Sequence, residues 1–585
     1  MSCDKLVFDL SQEIEGSPAV FVKKDWVSIL DNQNGIYSSN QCVIDTSQLS
    51  NSNKYMSYRE AYLNVPLLLT AVSDNAAATT FVPSATATSA DYAFGLKNWF
   101  GSVIHSITLD YNGTTIVQQT PFINMWNSFK LMTTLSWGDV ATIGATIGFY
   151  PDDPLSFGFF PTATTFGSGT CNNFVGATMP IASQTATLFN NFKSGSSNVG
   201  LTRRIQFINY DTGARTGDAS ATGTFADLLT TDRTKDLWKS YVLTKTISGT
   251  GSGAGGCFQI AISATIYLKH LHSFFQQAPL LKGVFMKITL ALNNSTVRYT
   301  RAVGTAGTMT LVSSSTPVGG ICPIMVASTA ANSGGNSTGS TAADMRVNLS
   351  VGKTCLDSTL KASGTGLNTV QESSYPNIQL YVPAYTFNPS FESAYLSSPV
   401  KTIKYTDVYQ YQVLGVVAAA NFNNLITNGI AGLKSILILP FFSSSSAGVD
   451  SAVSPYMSPF DPAGAGPTSP LCHLTNFNVV VSGQNMLYNT QRYTYEQFNN
   501  QLLGVNAVNG GLTDGLTSSL IDSQGFEMEY CYYYVDVSRM LPVEETVPKS
   551  VQIIGKSQSS KALDLFVFCE YGCSVSIDVL TGARV

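Results

Sequence analysis

An internal duplication constrains this 585-residue chain more than any single motif does. The first copy runs from Ile104 through a β-branched stretch to Asn112-Gly113, resumes at Thr114–Val117, and continues from Thr120-Pro121 to Met132. The second runs from Leu474 through Val479–Val481 to Ser482-Gly483, resumes at Gln484–Leu487, and continues from Arg492 to Leu503. Each reads as strand, glycine turn, short strand and amphipathic helix, the helix carrying an aromatic-Asn pair, Trp126-Asn127 or Phe498-Asn499. A second parallel follows in the same order. Phe258–Leu268 leads into a segment ending at Pro279 before Val284–Leu292 resumes as strand, and Glu529–Arg539 leads into a segment broken by Pro542 and Pro548 before Ser550–Ile554 resumes. Two similar β domains in one chain follow from this order.

The chain is too long for one hydrophobic core, which agrees with two domains. Hydrophobic residues make up 44%, yet charged residues only 12%, about half the usual share. The polar surface must therefore come from Ser, Thr, Asn, Gln and Gly. Hydroxyls and amides that find hydrogen bonds cost far less to bury than charges do, so such a surface suits broad close-packed contacts. The net charge of −5 and the absence of a Lys/Arg run give no electrostatic footprint for nucleic acid, and Lys23-Lys24 and Arg203-Arg204 read as solvated positions. The ten cysteines show no CxxC spacing and read as reduced and partly buried. Cys569 and Cys573 share one face of an expected strand. The N-terminal residues have an early acidic residue and no long apolar run, so no signal peptide is expected. Val408–Leu433 is uncharged but interrupted by Gln and Asn, so no membrane span is expected.

Short β runs punctuated by Asp-Asn and Asn-Gly fill residues 21–70, including Trp26–Leu30 and Ala61–Thr70. Apolar spacing predicts helices over Tyr92–Val103, Pro121–Ser136 and Asp227–Trp238. The first half exceeds the second between its glycine turn and its next long strand. This excess, at about residues 140–256 and including the uncharged Pro154–Phe192, is expected on an exposed surface. Gly320–Ala327 and Met345–Val351 read as the closing strands of the first domain, and Pro376–Pro383 as the opening of the second. The expected division is 1–370 and 371–585. Each half then offers about eight strands, few helices and irregular strand separations. Two Greek keys wound as a jelly roll fit this better than an up-and-down barrel of short regular hairpins. The expected fold is all-β: two consecutive eight-stranded jelly rolls with a few short helices and long inserted loops.

No chemistry-bearing motif survives its context. Gly251–Gly256 satisfies GxGxxG but leads into a strand rather than opening a helix. Gly335-Asn-Ser337-Thr-Gly339 satisfies GxSxG in low-complexity sequence with no following helix. His270 and His272 would share a strand face, but no further zinc ligands accompany them, and a structural or interface role is favoured for both. The pairs Asp152-Asp153 and Glu544-Glu545 are adjacent, and neighbouring strand residues point to opposite faces, which defeats glycosidase chemistry. Sequons at Asn112, Asn293, Asn294, Asn336 and Asn348 match chance in an Asn- and Thr-rich chain. Catalytic, cofactor-binding and metal residues are accordingly none, no cofactor is expected, and the chain reads as no enzyme.

Several segments carry a family resemblance. Ile44–Ser52 with Tyr58–Pro66, His270–Phe275 with Gly283–Phe285, Tyr381–Pro389, Ser458–Asp461, Asn506–Thr513, Tyr532–Arg539 and Val547–Gln552 together resemble the double jelly-roll major capsid proteins of polinton-like viruses and virophages. The resemblance spans roughly residues 20 to 585. It implies a homotrimer whose six jelly rolls form a pseudo-hexagonal capsomer, tiling an icosahedral shell around double-stranded DNA. It also implies penton and minor capsid proteins as partners, a place in the virion after assembly inside the host cell, and outward towers built from long loops. It implies no sequence-specific grip on nucleic acid. A surface or secreted β-sandwich adhesin or carbohydrate-binding protein is the rival reading, supported by the aromatic and hydroxyl-rich composition.

Overall fold

A computed structural model describes residues 19–37, 39–50, 52–73, 92–151, 178–179, 205–207, 240–245, 257–301, 309–316, 320–328, 343–352, 377–443, 473–488, 490–504, 520–528, 530, 532–538, 547–559, 562–579 and 581–585. Sixteen strands carry the architecture. Those of the first half are β1 (Phe21–Leu30), β2 (Gln41–Asp45), β3 (Tyr62–Ser73), β4 (Ile104–Tyr111), β5 (Thr114–Val117), β6 (Cys257–Tyr267), β7 (Met286–Leu292) and β8 (Gln379–Phe387). Those of the second half are β9 (Val400–Val416), β10 (Asn421–Ile430), β11 (Leu433–Phe442), β12 (Leu474–Val481), β13 (Gln484–Asn485), β14 (Tyr533–Asp536), β15 (Lys549–Ser557) and β16 (Leu563–Asp578).

Antiparallel pairing sorts the first eight into the orders β1-β8-β3-β6 and β2-β7-β4-β5. The second eight repeat both orders as β9-β16-β11-β14 and β10-β15-β12-β13. Each strand of one half thus has its counterpart eight strands later. Strands in these two orders make the double Greek key of a jelly roll, the first roll's β1-β8-β3-β6 set being extended by further strands into a ten-stranded sheet, and the chain is a double jelly roll. The alternation that drives it is plain in β3, where Leu63, Val65, Leu67 and Leu69 are fully buried and point inward while Tyr62 and Asn64 point out.

The duplicated turns are equivalent in backbone as well as in order. Asn112 and Gly113 have φ of 45° and 79°, and Ser482 and Gly483 have 49° and 83°. Two consecutive left-handed residues between paired strands make the type I′ hairpin, whose twist matches that of its strands. Helix α1 (Ile123–Thr134) follows the first turn as expected, and helix α2 (Trp137–Ile147) follows it behind a Ser136–Asp139 capping box. Between the halves lies helix α3 (Pro389–Leu396), capped by Asn388, and the second turn leads to helix α4 (Tyr495–Gly504).

Four expectations are corrected. Tyr92–Val103 is not a helix: Tyr92–Leu96 pairs with Ile324–Ser328, and only Phe100–Val103 coils, as one 3-10 turn. Long-range pairing here overrides local apolar spacing. The insert does not begin as loop, because α2 packs against β6 and buries Val140, Gly144 and Ile147. Ala343–Val351 does not close the first roll but pairs with Leu67–Ser73 of β3, beside β8, which pairs with Tyr62–Asn64 of the same strand edge. Pro66, which has no N–H to donate, sits where the two neighbours change over, and its carbonyl accepts from Gly352 N. Finally, the segment from Pro376 opens nothing new: as β8 it pairs with β1 and β3, so the closing strand of the first roll ends at Phe387 and the second roll starts at Val400. The connection from β7 to β8 takes residues 293–378, whereas its counterpart takes 558–562, so the first roll's excess is distributed over more than one connection. Asp227–Trp238 and Pro154–Phe192 lie almost entirely outside the described residues.

Candidate functional site: the junction between the rolls

Ten of the twelve residues of helix α1 are buried, the polar Asn124, Asn127, Ser128 and Thr133 among them. A helix of this kind needs cover on both faces. One face lies on its own roll, where Asn124 Nδ2 donates to Ser102 O at 3.2 Å and Asn98 Nδ2 donates to Ser128 Oγ at 3.1 Å. The other lies on the outward face of the second roll's β9-β16-β11-β14 sheet. There Phe122 meets Phe566 edge-on at 5.0 Å, Trp126 meets Phe568 at 6.2 Å, and Phe129 stacks on Tyr534 at 5.5 Å. Phe566, Phe568, Leu437 and Tyr534 are thereby at most 2% exposed, although they point away from their own core.

Polar groups fix the register of this contact. Lys130 Nζ lies 3.2 Å from Glu570 Oε1 and 4.8 Å above the Trp126 ring, and Ser435 Oγ donates to the other carboxylate oxygen at 2.7 Å. Burial pushes the Glu570 carboxyl up, but the Lys130 charge and these hydrogen bonds outweigh it and hold it below the usual range. Along edge strand β9, Tyr405 Oη donates to Ile116 O at 2.6 Å, and Thr120 Oγ1 donates to Val408 O at 2.7 Å. The loop after β5 thus covers part of that edge. Thr406 N donates to Ser273 Oγ at 2.9 Å.

His270 and His272 are not on one strand face, because the strand ends at Tyr267 and two short helical turns follow, Leu268–Leu271 and Ser273–Gln277. His270 lies in the first turn. His272 caps the second through Nδ1, which accepts from Phe274 N at 3.2 Å, and its Nε2 lies 3.4 Å from Asp407 Oδ1 of the second roll. A structural role for His272 follows, with an acidic neighbour that the sequence does not place near it. Around the linker, Tyr55, Phe387 and Tyr395 form a ring cluster with centroids 4.7 to 5.8 Å apart, and Tyr55 Oη donates to Glu392 at 2.8 Å.

Cys42, Cys322, Cys569 and Cys573 are free thiols, the first three buried. Lys23 and Lys24 are exposed and paired with Asp25 and Glu60 at 3.1 and 2.6 Å. The glycine-rich matches at 251–256 and 335–339, Arg203-Arg204, Asp152-Asp153 and Glu544-Glu545 lie outside the described residues. Among the described residues no three His, Cys, Asp or Glu side chains gather as a metal site, and no helix is long and apolar enough to cross a membrane. Sequence reasoning missed Lys130, Glu570, Tyr405 and Asp407. One signal was available for Glu570: a lone carboxylate following the apolar run Leu565–Cys569 needs a partner supplied from elsewhere.

No protein-family model and no curated protein matches the chain. Among solved structures it is similar to the Sputnik virophage structure, at 11% identity and a TM-score of 0.47 over 97% of this chain and 89% of that one. It is also similar to the mavirus major capsid protein, at 8% identity and 0.40 over 97% and 91%, and to the Faustovirus major capsid protein, at 10% and 0.39 over 95% and 91%.

Proposed function

We propose that this chain is a major capsid protein. Three copies form a pseudo-hexagonal capsomer that tiles an icosahedral shell enclosing double-stranded DNA, with separate penton and minor capsid proteins completing the particle. One observation carries the reading: two complete jelly rolls stand side by side in one chain, joined across a buried junction that fixes their relative orientation. Such a pair is two sixths of a ring. The uncharged polar composition supports extensive contact between copies, and an obligate interface between copies buries on the order of 2,000–5,000 Å2. The mild negative charge leaves DNA ungripped by the rolls themselves.

Light scattering on the purified chain, followed by negative-stain imaging, tests this. The expected particle has three times the 62.6 kDa chain mass and a hexagonal outline. A monodisperse single chain at all concentrations refutes the capsomer. The rival reading, a glycan-binding surface protein, has one observation in its favour: Trp26, Tyr62 and Tyr381 form an outward aromatic row, with centroids 5.7 and 5.1 Å apart. A monomer that binds glycan arrays through this row would establish it.

A further inference from the structure

The junction built on α1 grips the second roll partway along its strands. The α1 rings and Lys130 meet β16 at Phe566, Phe568 and Glu570. The contacts on the β9 edge, at Tyr405, Thr406 and Val408, lie beside Cys573 to Glu570 of the same strand. Strand β16 runs on to Asp578, roughly 17 Å beyond Cys573 at the rise of an extended chain. Two packed bodies held at one such place can pivot about it, the far end of the second roll swinging most.

At that far end the chain turns back on itself and reaches the first roll. Asp578 N donates to Ala583 O and Val585 N to Ser576 O, both at 2.9 Å, and Gly582 N donates to Asp578 O at 2.8 Å, so a short return strand lies beside the end of β16. Gly582 O accepts from the side chain of Asn112, the first residue of the duplicated hairpin turn, and Asn112 Oδ1 accepts from Phe285 N at 3.3 Å. Gly582 has φ of 69°, and a Cβ on it would lie 2.7 Å from Gly283 O, so glycine is what lets the two backbones come this close. Val579, fully buried, shares a satellite core with Tyr55 and Phe387, against which Leu280, Phe391 and Tyr395 pack. The linker lands on the same first-roll segment: Tyr395 Oη donates to Leu280 O at 2.7 Å, and Lys282 Nζ lies 3.9 Å from Glu392. Residues 280–285 are thus held twice, by the covalent connection entering β9 and by the non-covalent return leaving β16, and these two strands are paired neighbours, with Val400 opposite Asp578.

We propose that Val579 and residues 581–585 form a strap that locks the far end of the second roll to the first and stops the rolls rocking about the α1 junction, with Asn112 as its catch. The strap works within one chain and stands independently of the capsomer reading; in a capsomer it holds each pair of rolls at one angle before copies meet. The duplication supplies its own control. Ser482 occupies the place of Asn112 in the second turn, with the same left-handed backbone, and its N donates to Ser550 O at 2.9 Å as Asn112 N donates to Phe285 O at 2.9 Å.

Hydrogen exchange resolved at single amides, on the full chain, tests the lock. Asn112→Gly removes the catch and keeps the left-handed turn, Gly582→Val forces the strap off Gly283, and Ser482→Gly is the control. The reporter is Thr406, whose N donates across the junction to Ser273 Oγ at 2.9 Å and so senses rocking at a distance from the strap. In both strap variants the amides of Gly582, Val585 and Thr406 are expected to exchange on the order of tenfold faster, as the loss of one hydrogen bond implies, while those of α1 keep their protection and Ser482→Gly matches wild type. Near-UV circular dichroism confirms that each variant is folded. Thr406 exchanging at the wild-type rate beside freed strap amides overturns the lock, since the strap would then be local. Strap amides that stay protected in both variants overturn it as well, because neither contact would then hold the strap. So does loss of α1 protection together with Thr406, which means that the rolls part rather than rock, and so does an equal effect of Ser482→Gly.

Discussion

Gly113 and Gly483 are needed for their backbone and not for space. Both have φ near +80°, and a Cβ built on either meets nothing within 4 Å. Alanine at each position should therefore cost the left-handed penalty alone, about 1–2 kcal/mol, and the two costs should agree. Gly320 poses the opposite case: a Cβ there would lie 2.0 Å from Asn293 Oδ1 and 2.7 Å from His105 Nδ1, both on buried side chains. Gly320→Ala should lower the melting temperature more than either turn variant, and an equal effect would show that the neighbours yield. His105 gives a pH signature. Burial pushes its imidazole down to about 4, so the folded chain holds it neutral while the unfolded chain binds a proton below about 6.5. The unfolded state then carries more protons, and stability falls as pH drops from about 6.5 to about 4, by about 3 kcal/mol in all. Thermal unfolding across this window should show a shallower slope for His105→Phe than for wild type.

At the scale of elements, α1 shows what a sequence conveys and what it withholds. The apolar spacing of Pro121–Ser136 predicts the helix, and it forms over Ile123–Thr134. Spacing cannot say that Trp126 and Phe129 face a strand more than 400 residues away, because that depends on how two rolls dock. Tyr92–Leu96 fails for a related reason: its strand partner at Ile324–Ser328 lies over 200 residues downstream, and local pattern does not encode such pairing. The Lys130–Glu570 pair belongs to this scale, since it locks a helix to a sheet. Lys130→Met leaves the buried carboxylate uncompensated and should cost about 3 kcal/mol, whereas adding Glu570→Gln should recover most of the loss. Denaturant midpoints of the two variants check this, and equal destabilisation would mean that the charge pairing contributes nothing beyond packing.

Across the whole molecule, the duplication was legible because both copies keep the same turn, helix and strand order. The division between the rolls was not. The closing strand β8 has the same apolar β character as an opening strand, and only its pairing with β1 and β3 assigns it to the first roll. The excess length misled similarly: a difference read between two landmarks reports its size there, but residues 293–378 lie beyond the second landmark. The connection between the rolls has a consequence of its own. Residues 388–399, with α3 between the ends of β8 and β9, tether the partners of one junction within the same molecule. A short tether holds them at an effective concentration of about millimolar or more. Dilution therefore never reaches that junction, and any seam that a falling protein concentration opens must run between chains, leaving rolls in pairs.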